Sequence, residues 1–132
     1  MSIDFLTVDD VLLLHEDQII RYGGNPGVRD LGLLQSAVTQ PAAAFGGSLL
    51  HEDRFEMAAA YLYHIVQNHP FIDGNKRAGA VAALLFLQIN GTPIEAAPGE
   101  LYAVTISVAK GETAKAEVAE FFRIRADRDK SV

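Results

Sequence analysis

The sequence predicts an all-α protein built as one bundle of about six helices. Three observations lead to this prediction. The length of 132 residues is typical of one domain. Apolar residues make up 49% and charged residues 21% of the chain, which is the composition of a chain with a globular core. Apolar residues also recur at helical spacing almost throughout.

Capping signals separate the predicted helices. The first helix follows the capping box Thr7-Val-Asp-Asp10 and ends before Gly23-Gly24. The second is capped by Asp30 and ends at Pro41. After a glycine-containing loop, the third is expected to run from about Glu52 to Gln67. These signals therefore predict three helices in the first half of the chain.

The fourth predicted helix starts near Asn75 and ends at Asn90-Gly91. Its stretch from Ala78 to Leu87 is apolar on every side, and such a helix is usually enclosed by other helices. Two further helices, over about 99–110 and 113–126, are expected to cover the core. The predicted domain is thus residues 1–126, with an active-site loop before a buried central helix, and 127–132 form a charged tail.

Composition also limits the classes of function. Eleven basic and seventeen acidic residues give a net charge of −6, which argues against a domain that coats nucleic acid or an anionic membrane. Cysteine is absent, so disulfides, thiolate catalysis and cysteine metal sites are excluded, and a cytoplasmic location is expected. The N-terminus resembles no secretory signal, and the longest apolar run is about half of what a membrane crossing requires.

The segment His-Pro-Phe-Ile-Asp-Gly-Asn-Lys-Arg at 69–77 carries the chemistry. Gly74 allows a tight turn and a close ligand. Asn75, Lys76 and Arg77 then form the first turn of a helix, where unpaired N–H groups and the positive end of the helix dipole bind phosphates. Two cations in that turn oppose the dipole, and a local rule broken without local benefit indicates a functional site.

Three further residues of this segment complete the hypothesis. A carboxylate beside phosphates is repulsive unless a divalent cation bridges them, so Asp73 indicates Mg²⁺. His69 is the natural general base near neutral pH, and Phe71 is expected to anchor the loop in the core. Each residue alone has an ordinary alternative, such as a helix cap or a packed side chain. Their combination within nine residues favours a catalytic site.

These nine residues resemble the signature HxFx(D/E)GN(G/K)R of the Fic/Doc superfamily, and the variant with Lys76 is similar to the Doc (death-on-curing) branch. The stretch from His15 to Asp30, which contains Arg-Tyr-Gly-Gly at 21–24, is similar to the N-terminal half of Doc-type toxins. The residues 83–87, followed by Asn90-Gly91, are similar to the helix after the signature. The resemblance therefore covers most of the chain.

The resemblance implies a nucleotide-dependent transferase in which His69 is the base and Asp73 holds Mg²⁺. Gly74, Asn75, Lys76 and Arg77 would bind the phosphates of ATP. Fic enzymes usually transfer AMP to a hydroxyl of a target protein. Here a lysine replaces the usual glycine of the signature, and Ala80 stands where a second arginine is expected. Both departures count against AMP transfer, and the Doc branch shares the lysine.

The Doc branch is implied to act as a protein kinase with ATP bound in a reversed sense. Its implied target is a threonine of translation elongation factor Tu, and its implied inhibitor is a Phd-like antitoxin that docks in an exposed apolar groove. AMP or nucleotidyl transfer is one alternative, and a non-catalytic Fic-fold binding module is another. No nucleic-acid or membrane partner is expected.

Five residues outside the signature have more ordinary interpretations. Arg29 and Asp30 are either a turn with a helix cap, the favoured interpretation, or part of a flap at 23–30 that docks the target. His64 is interpreted as a structural or rim histidine, because five residues before His69 is not the spacing of a helical metal pair. His15 and His51 are expected to make polar contacts at helix boundaries.

Overall fold

The computed structural model describes the backbone of residues 2–130 and the side chains of residues 2–126. Within this range helices dominate and the only sheet is one small hairpin, which confirms the all-α prediction. The elements are, in chain order, α1 (Val8–Tyr22), α2 (Leu31–Thr39), a 3-10 turn (Gln40–Ala42), β1 (Ala44–Phe45), β2 (Ser48–Leu49), α3 (Arg54–Asn68), α4 (Asn75–Ile89), α5 (Glu100–Ala109) and α6 (Lys115–Lys130).

Side-chain caps begin the first three helices. Thr7 and Asp10 form the reciprocal capping box at the start of α1, as predicted. Asp30 accepts a hydrogen bond from the N–H of Leu33 and caps α2, which confirms its interpretation as a cap. Asp53 caps α3 in the same way.

The core is centred on α3, which packs against α2, α4, α5 and α6. Helices α3 and α4 approach closely at Gly79, where a Cβ atom would lie 2.9 Å from Cγ2 of Val66 and 3.1 Å from the carbonyl oxygen of Leu62. Tyr61 on α3 is fully buried, and its hydroxyl accepts from the N–H of Leu6. This packing fixes the start of α4 relative to the end of α3.

One expectation about α4 is wrong. Its apolar stretch predicted a helix enclosed on every side, whereas the structure buries one face and leaves the other partly open. Ala78, Ala82 and Phe86 are fully buried, but Leu84 is 37% exposed. The open face of α4 borders α5 across a cleft, so its apolar residues line a surface depression instead of the core.

Two smaller features also differ from the prediction. The loop around residues 45–47 contains a hairpin in which Ala44 pairs with Leu49 and Phe45 with Ser48. Helix α6 continues to Lys130, four residues beyond its predicted end at 126, so the backbone of 127–130 is helical where a tail was expected. Residues 131–132 lie outside the described residues. No helix in the described range is both long and apolar enough to cross a membrane.

Candidate active site

The loop from His69 to Gly74 joins α3 to α4 and contains both buried and exposed residues. Pro70 and Phe71 are buried, whereas His69 and Asp73 are exposed. His69 ends α3 in the left-handed region, with φ 51° and ψ 53°. It is the one non-glycine residue with a positive φ among those described. Such backbone strain persists where the surroundings hold it, and it is common at functional sites.

Arg29 holds the backbone at His69. Its Nε donates to the carbonyl oxygen of His69 at 2.6 Å, and its terminal nitrogen donates to the carbonyl oxygen of Asn68 at 2.9 Å. The N–H groups of Arg29 and Asp30 both donate to the carbonyl oxygen of Pro70. A guanidinium is favourable at these unpaired carbonyls at the end of a helix. Arg29 thus holds the backbone at the end of α3 and at the start of the loop at 69–74.

The Asn75 side chain holds the loop together. Its amide oxygen accepts from the N–H of Phe71, and its amide nitrogen donates to the carbonyl oxygen of Phe71, both at 2.9 Å. The side chain is buried, and these two bonds close the loop into a tight turn. Phosphate binding by Asn75 stays a prediction.

The Asp73 carboxylate lies at the mouth of the site. Its Oδ1 accepts from the N–H of Gly74 at 2.9 Å, and its Oδ2 from the N–H of Asn25 at 3.4 Å. Gly74 has φ 78°, a conformation that favours glycine. The structure thus places an exposed carboxylate next to the first turn of α4.

The two cations of that turn have different surroundings. Arg77 donates to the carbonyl oxygens of Gln18 at 3.3 Å and Gly23 at 3.0 Å, and its guanidinium lies 6.0 Å from the ring centre of Tyr22. The Lys76 side chain is exposed and forms no hydrogen bond or ion pair with any described residue. Arg77 therefore ties α4 to the end of α1, and Lys76 is the cation left available to a ligand.

A cleft of about 440 Å³ opens beside this turn. One end is formed by the signature residues 73–77 and by Gln18. The walls come from the facing sides of two helices, namely Ala80, Val81 and Leu84 of α4 and Leu101, Tyr102 and Thr105 of α5. His69 does not line this cleft, and it lies at the other end of the loop. The cleft therefore has mostly apolar walls and carries the charged side chains of Asp73, Lys76 and Arg77 at one end.

The described residues contain no group of three histidine or carboxylate side chains able to hold a metal ion. A metal site here would depend on Asp73 together with a ligand. This is the usual mode for Mg²⁺, which binds through one or two carboxylates plus substrate phosphates.

His15 is the site residue that sequence reasoning missed. It was expected at a helix boundary, but it lies inside α1 and is 2% exposed. Its ring stacks on Phe71 with 3.7 Å between centroids, and its Nε2 is 2.8 Å from the carbonyl oxygen of Asp73. The available signal was its position four residues after Val11 and four before Ile19, on the buried face of α1.

Two other histidines lie near Lys115 at the start of α6. His51 lines a second cleft, of about 450 Å³, together with Lys115 and Arg123, whereas His64 is not among its lining residues. Burial lowers the pKa of His51, and burial followed by the charge of Lys115 lowers the pKa of His64 to about 4. Lys115 Nζ lies 3.0 Å from Nε2 of His64. None of these residues contacts the loop at 69–74, in agreement with the structural interpretation of His64.

Comparisons with known proteins show the family of this chain. The model of the Fic/DOC family matches residues 5–87. "Protein kinase doc" of Escherichia phage P1 is 35% identical over 118 residues, which cover 89% of this chain and 92% of that protein. "Toxin Doc" of Mycolicibacterium smegmatis is 40% identical over 93 residues, which cover 70% of this chain and 69% of that protein. This chain belongs to the Fic/DOC family, within which it is similar to the Doc-type toxins.

Proposed function

We propose that this chain is a Doc-like toxin of a type II toxin–antitoxin module and acts as a protein kinase. It would transfer the γ-phosphoryl group of ATP to a hydroxyl of a target protein, with elongation factor Tu as the target to test first. One observation carries the proposal: the loop that Arg29 holds leaves His69 and Asp73 exposed, and Asp73 lines an open cleft together with the cation Lys76.

The residues at the cleft fit Mg²⁺ and ATP. The Asp73 carboxylate accepts one N–H bond on each oxygen, and an ionised carboxylate has about four acceptor sites, so it retains capacity for a metal ion. Bound Mg²⁺ would neutralise phosphate charge. The first-turn N–H groups of α4 and the Lys76 ammonium would bind the phosphates. The apolar walls at Val81 and Leu101 suit a nucleobase.

His69 would act on the incoming hydroxyl. Its imidazole would accept the hydroxyl proton while the hydroxyl oxygen forms a bond to the γ-phosphorus. The bond from that phosphorus to the bridging oxygen then breaks, and ADP leaves. Phosphoryl transfer depends mainly on positioning and charge neutralisation. Arg29 supplies the positioning, because it holds the backbone carbonyl of His69.

Nucleotidyl transfer is the second candidate. It is less favoured because Ala80, which lines the cleft, stands where Fic enzymes that transfer AMP are expected to have a second arginine. Lys76 also occupies space that a glycine would leave open to phosphate. Both features change the charge and shape that a nucleotide meets, which favours the reversed orientation implied for the Doc branch.

The test is a transfer assay with Mg²⁺, purified elongation factor Tu and ATP labelled at either the α or the γ phosphate. We expect label from γ only, and loss of labelling in His69→Ala. His64→Ala is the matched control, because His64 contacts Lys115 and does not line the α4 cleft. Label from α would establish nucleotidyl transfer instead. No label on elongation factor Tu or on any protein of a whole lysate would favour the binding-module alternative.

The proposed inhibitor is a Phd-like antitoxin that binds exposed apolar surface, in the cytoplasm where the target is found. Such surface is present: Leu13 and Ile20 on α1 and Tyr102 on α5 are each at least two-thirds exposed. Co-expression with a Phd-like antitoxin should give a complex that survives purification and suppresses the transfer reaction. Free toxin activity in the presence of excess antitoxin would contradict this part of the proposal.

A further inference from the structure

We propose that His15 is a positioning residue for the Asp73 carboxylate, acting through the peptide unit between Asp73 and Gly74. This inference rests on the proposed function, because it takes Asp73 to be the carboxylate that meets Mg²⁺ and phosphate. His15 belongs to α1, outside the signature, and does not line the cleft beside α4.

The contact between His15 and the loop is closely defined. A carbonyl oxygen only accepts, so Nε2 of His15 must carry the hydrogen that it donates to Asp73 at 2.8 Å. The two rings of His15 and Phe71 lie 5° from parallel, so the imidazole cannot rotate without losing this stack. A buried donor held in this way fixes the direction of the carbonyl that it meets.

The peptide plane transmits that constraint to the carboxylate. The carbonyl of Asp73 and the N–H of Gly74 belong to one rigid, planar peptide unit. His15 binds the carbonyl end of this unit, and the N–H end donates to Oδ1 of Asp73 at 2.9 Å. Rotation of the peptide plane would therefore break both bonds together. His15 thereby holds the N–H that orients the carboxylate.

The segment after α1 also limits the position of the Asp73 carboxylate. A Cβ atom at Gly24 would lie 2.7 Å from Oδ2 of Asp73, closer than real side-chain contacts allow. The N–H of Asn25 donates to the same oxygen. The segment after α1 thus closes around the carboxylate, and any side chain at residue 24 would displace it.

The experiment compares three variants of the full chain. His15→Leu removes the donor, and His15→Gln keeps an N–H at about the same reach. His51→Leu is the matched control, since His51 is also buried but lines the other cleft. Two readouts are used: the amide NMR resonance of Gly74 without nucleotide, and the affinity for Mn²⁺ in the presence of a non-hydrolysable ATP analogue.

We expect His15→Leu to shift the Gly74 amide resonance and to weaken Mn²⁺ binding by about 10-fold or more, the size found for residues that orient metal ligands. His15→Gln should recover most of the affinity, and His51→Leu should change neither readout, whatever its effect on melting temperature. Equal losses in the leucine and glutamine variants, in proportion to lost thermal stability, would show a merely structural histidine and overturn the proposal.

Gly24→Ala provides an independent test from the other side of the carboxylate. Its control is Gly111→Ala, because Gly111 also has a positive φ, 75°, but open space around a Cβ atom. Only Gly24→Ala should shift the Gly74 resonance and weaken Mn²⁺ binding. An unchanged Gly74 resonance in both His15→Leu and Gly24→Ala would overturn the proposal. Failure of the wild type to bind Mn²⁺ with the analogue would instead count against the proposed function.

Discussion

Two clefts of this molecule have nearly the same volume, about 440 and 450 Å³, but their charged side chains have different surroundings. In the cleft beside α6, both lining cations contact a side chain, since Arg123 pairs with Asp53 at 2.8 Å and Lys115 contacts His64. In the cleft beside α4, Lys76 and the Asp73 carboxylate have no ionic partner among the described residues. The second arrangement leaves charge available for a ligand.

The difference shows that perturbed pKa values and the signature residues lie in different parts of this protein. The lowered pKa values of His51, His64 and Lys115 all belong to the group of side chains around the start of α6 and have burial as their first cause. Shifted pKa values are common at active sites, but ion-pair and packing networks also produce them. At the loop before α4, the features that indicate function are instead the backbone strain at His69 and the hydrogen bonds that hold it.

The largest expected effect separates two histidines, His69 of the signature and His64 beside Lys115. His69→Ala should lower phosphoryl transfer by about 100-fold or more, since general bases contribute about 10² to 10⁴. His64→Ala should retain near wild-type activity, because the proposed mechanism gives His64 no role. The measurement is the initial rate of transfer to the target protein at saturating Mg²⁺ and ATP. Equal losses in the two variants would contradict the role of His69 as the general base.

The second prediction concerns Asn75, which holds the loop. Asn75→Ala should lower the free energy of unfolding by about 2–6 kcal/mol, because the buried N–H and carbonyl of Phe71 each lose a partner at about 1–3 kcal/mol. Urea denaturation measures this loss. Lys76→Ala, one residue further on, should leave stability unchanged because Lys76 is exposed. A stable Asn75→Ala with weakened nucleotide binding would show instead that this side chain serves the ligand.

The third prediction concerns the contribution of His64 to the pH dependence of stability. The pKa of His64 is about 4 in the folded chain and about 6.5 when unfolded. Between these values the unfolded state binds more protons, so the free energy of unfolding falls as the pH drops from about 6.5 to 4, by no more than about 3 kcal/mol from this residue. His64→Gln should remove this part of the pH dependence, while Gln still accepts from Lys115. An unchanged slope of stability against pH would contradict the assignment.

The smallest expected effect concerns Lys76. Loss of one charged hydrogen bond costs about 1.5–3 kcal/mol, so Lys76→Ala should weaken ATP binding or transfer by about 10- to 100-fold. Lys110→Ala is the matched control, because Lys110 is exposed at the end of α5, outside the residues that line the α4 cleft. Titration calorimetry with an ATP analogue and Mg²⁺ distinguishes them. Equal affinities would show that Lys76 does not meet the phosphates.

The helices could be predicted because their signals are local. Thr7 and Asp30 cap their helices as the sequence indicates, and helical spacing of apolar residues marked each segment. The hairpin at 44–49 could not be predicted, because strands of two exposed residues show no alternation of apolar and polar residues. The open face of α4 was missed for a related reason: an apolar surface that lines a cleft has the same sequence pattern as one that is buried.

The sequence indicated which residues form the candidate site but predicted few of the contacts between them. The signature indicated a loop followed by a phosphate-binding helix start, and the structure brings Asp73 to that turn. The amide of Asn75 and the guanidinium of Arg29 bond to backbone carbonyls and N–H groups of the loop, and a sequence carries no information on which backbone groups lie nearby. His15 was missed because its partner is 58 residues away along the chain.

We take the cleft beside α4 to be the nucleotide site. A crystal structure of the chain with Mg²⁺ and a non-hydrolysable ATP analogue would decide this. We expect phosphates at the first turn of α4, within reach of Lys76, and a metal ion on the carboxylate of Asp73. A nucleotide bound in the cleft of His51 and Lys115, with residues 73–77 free of phosphate, would show that the α4 cleft is not the nucleotide site.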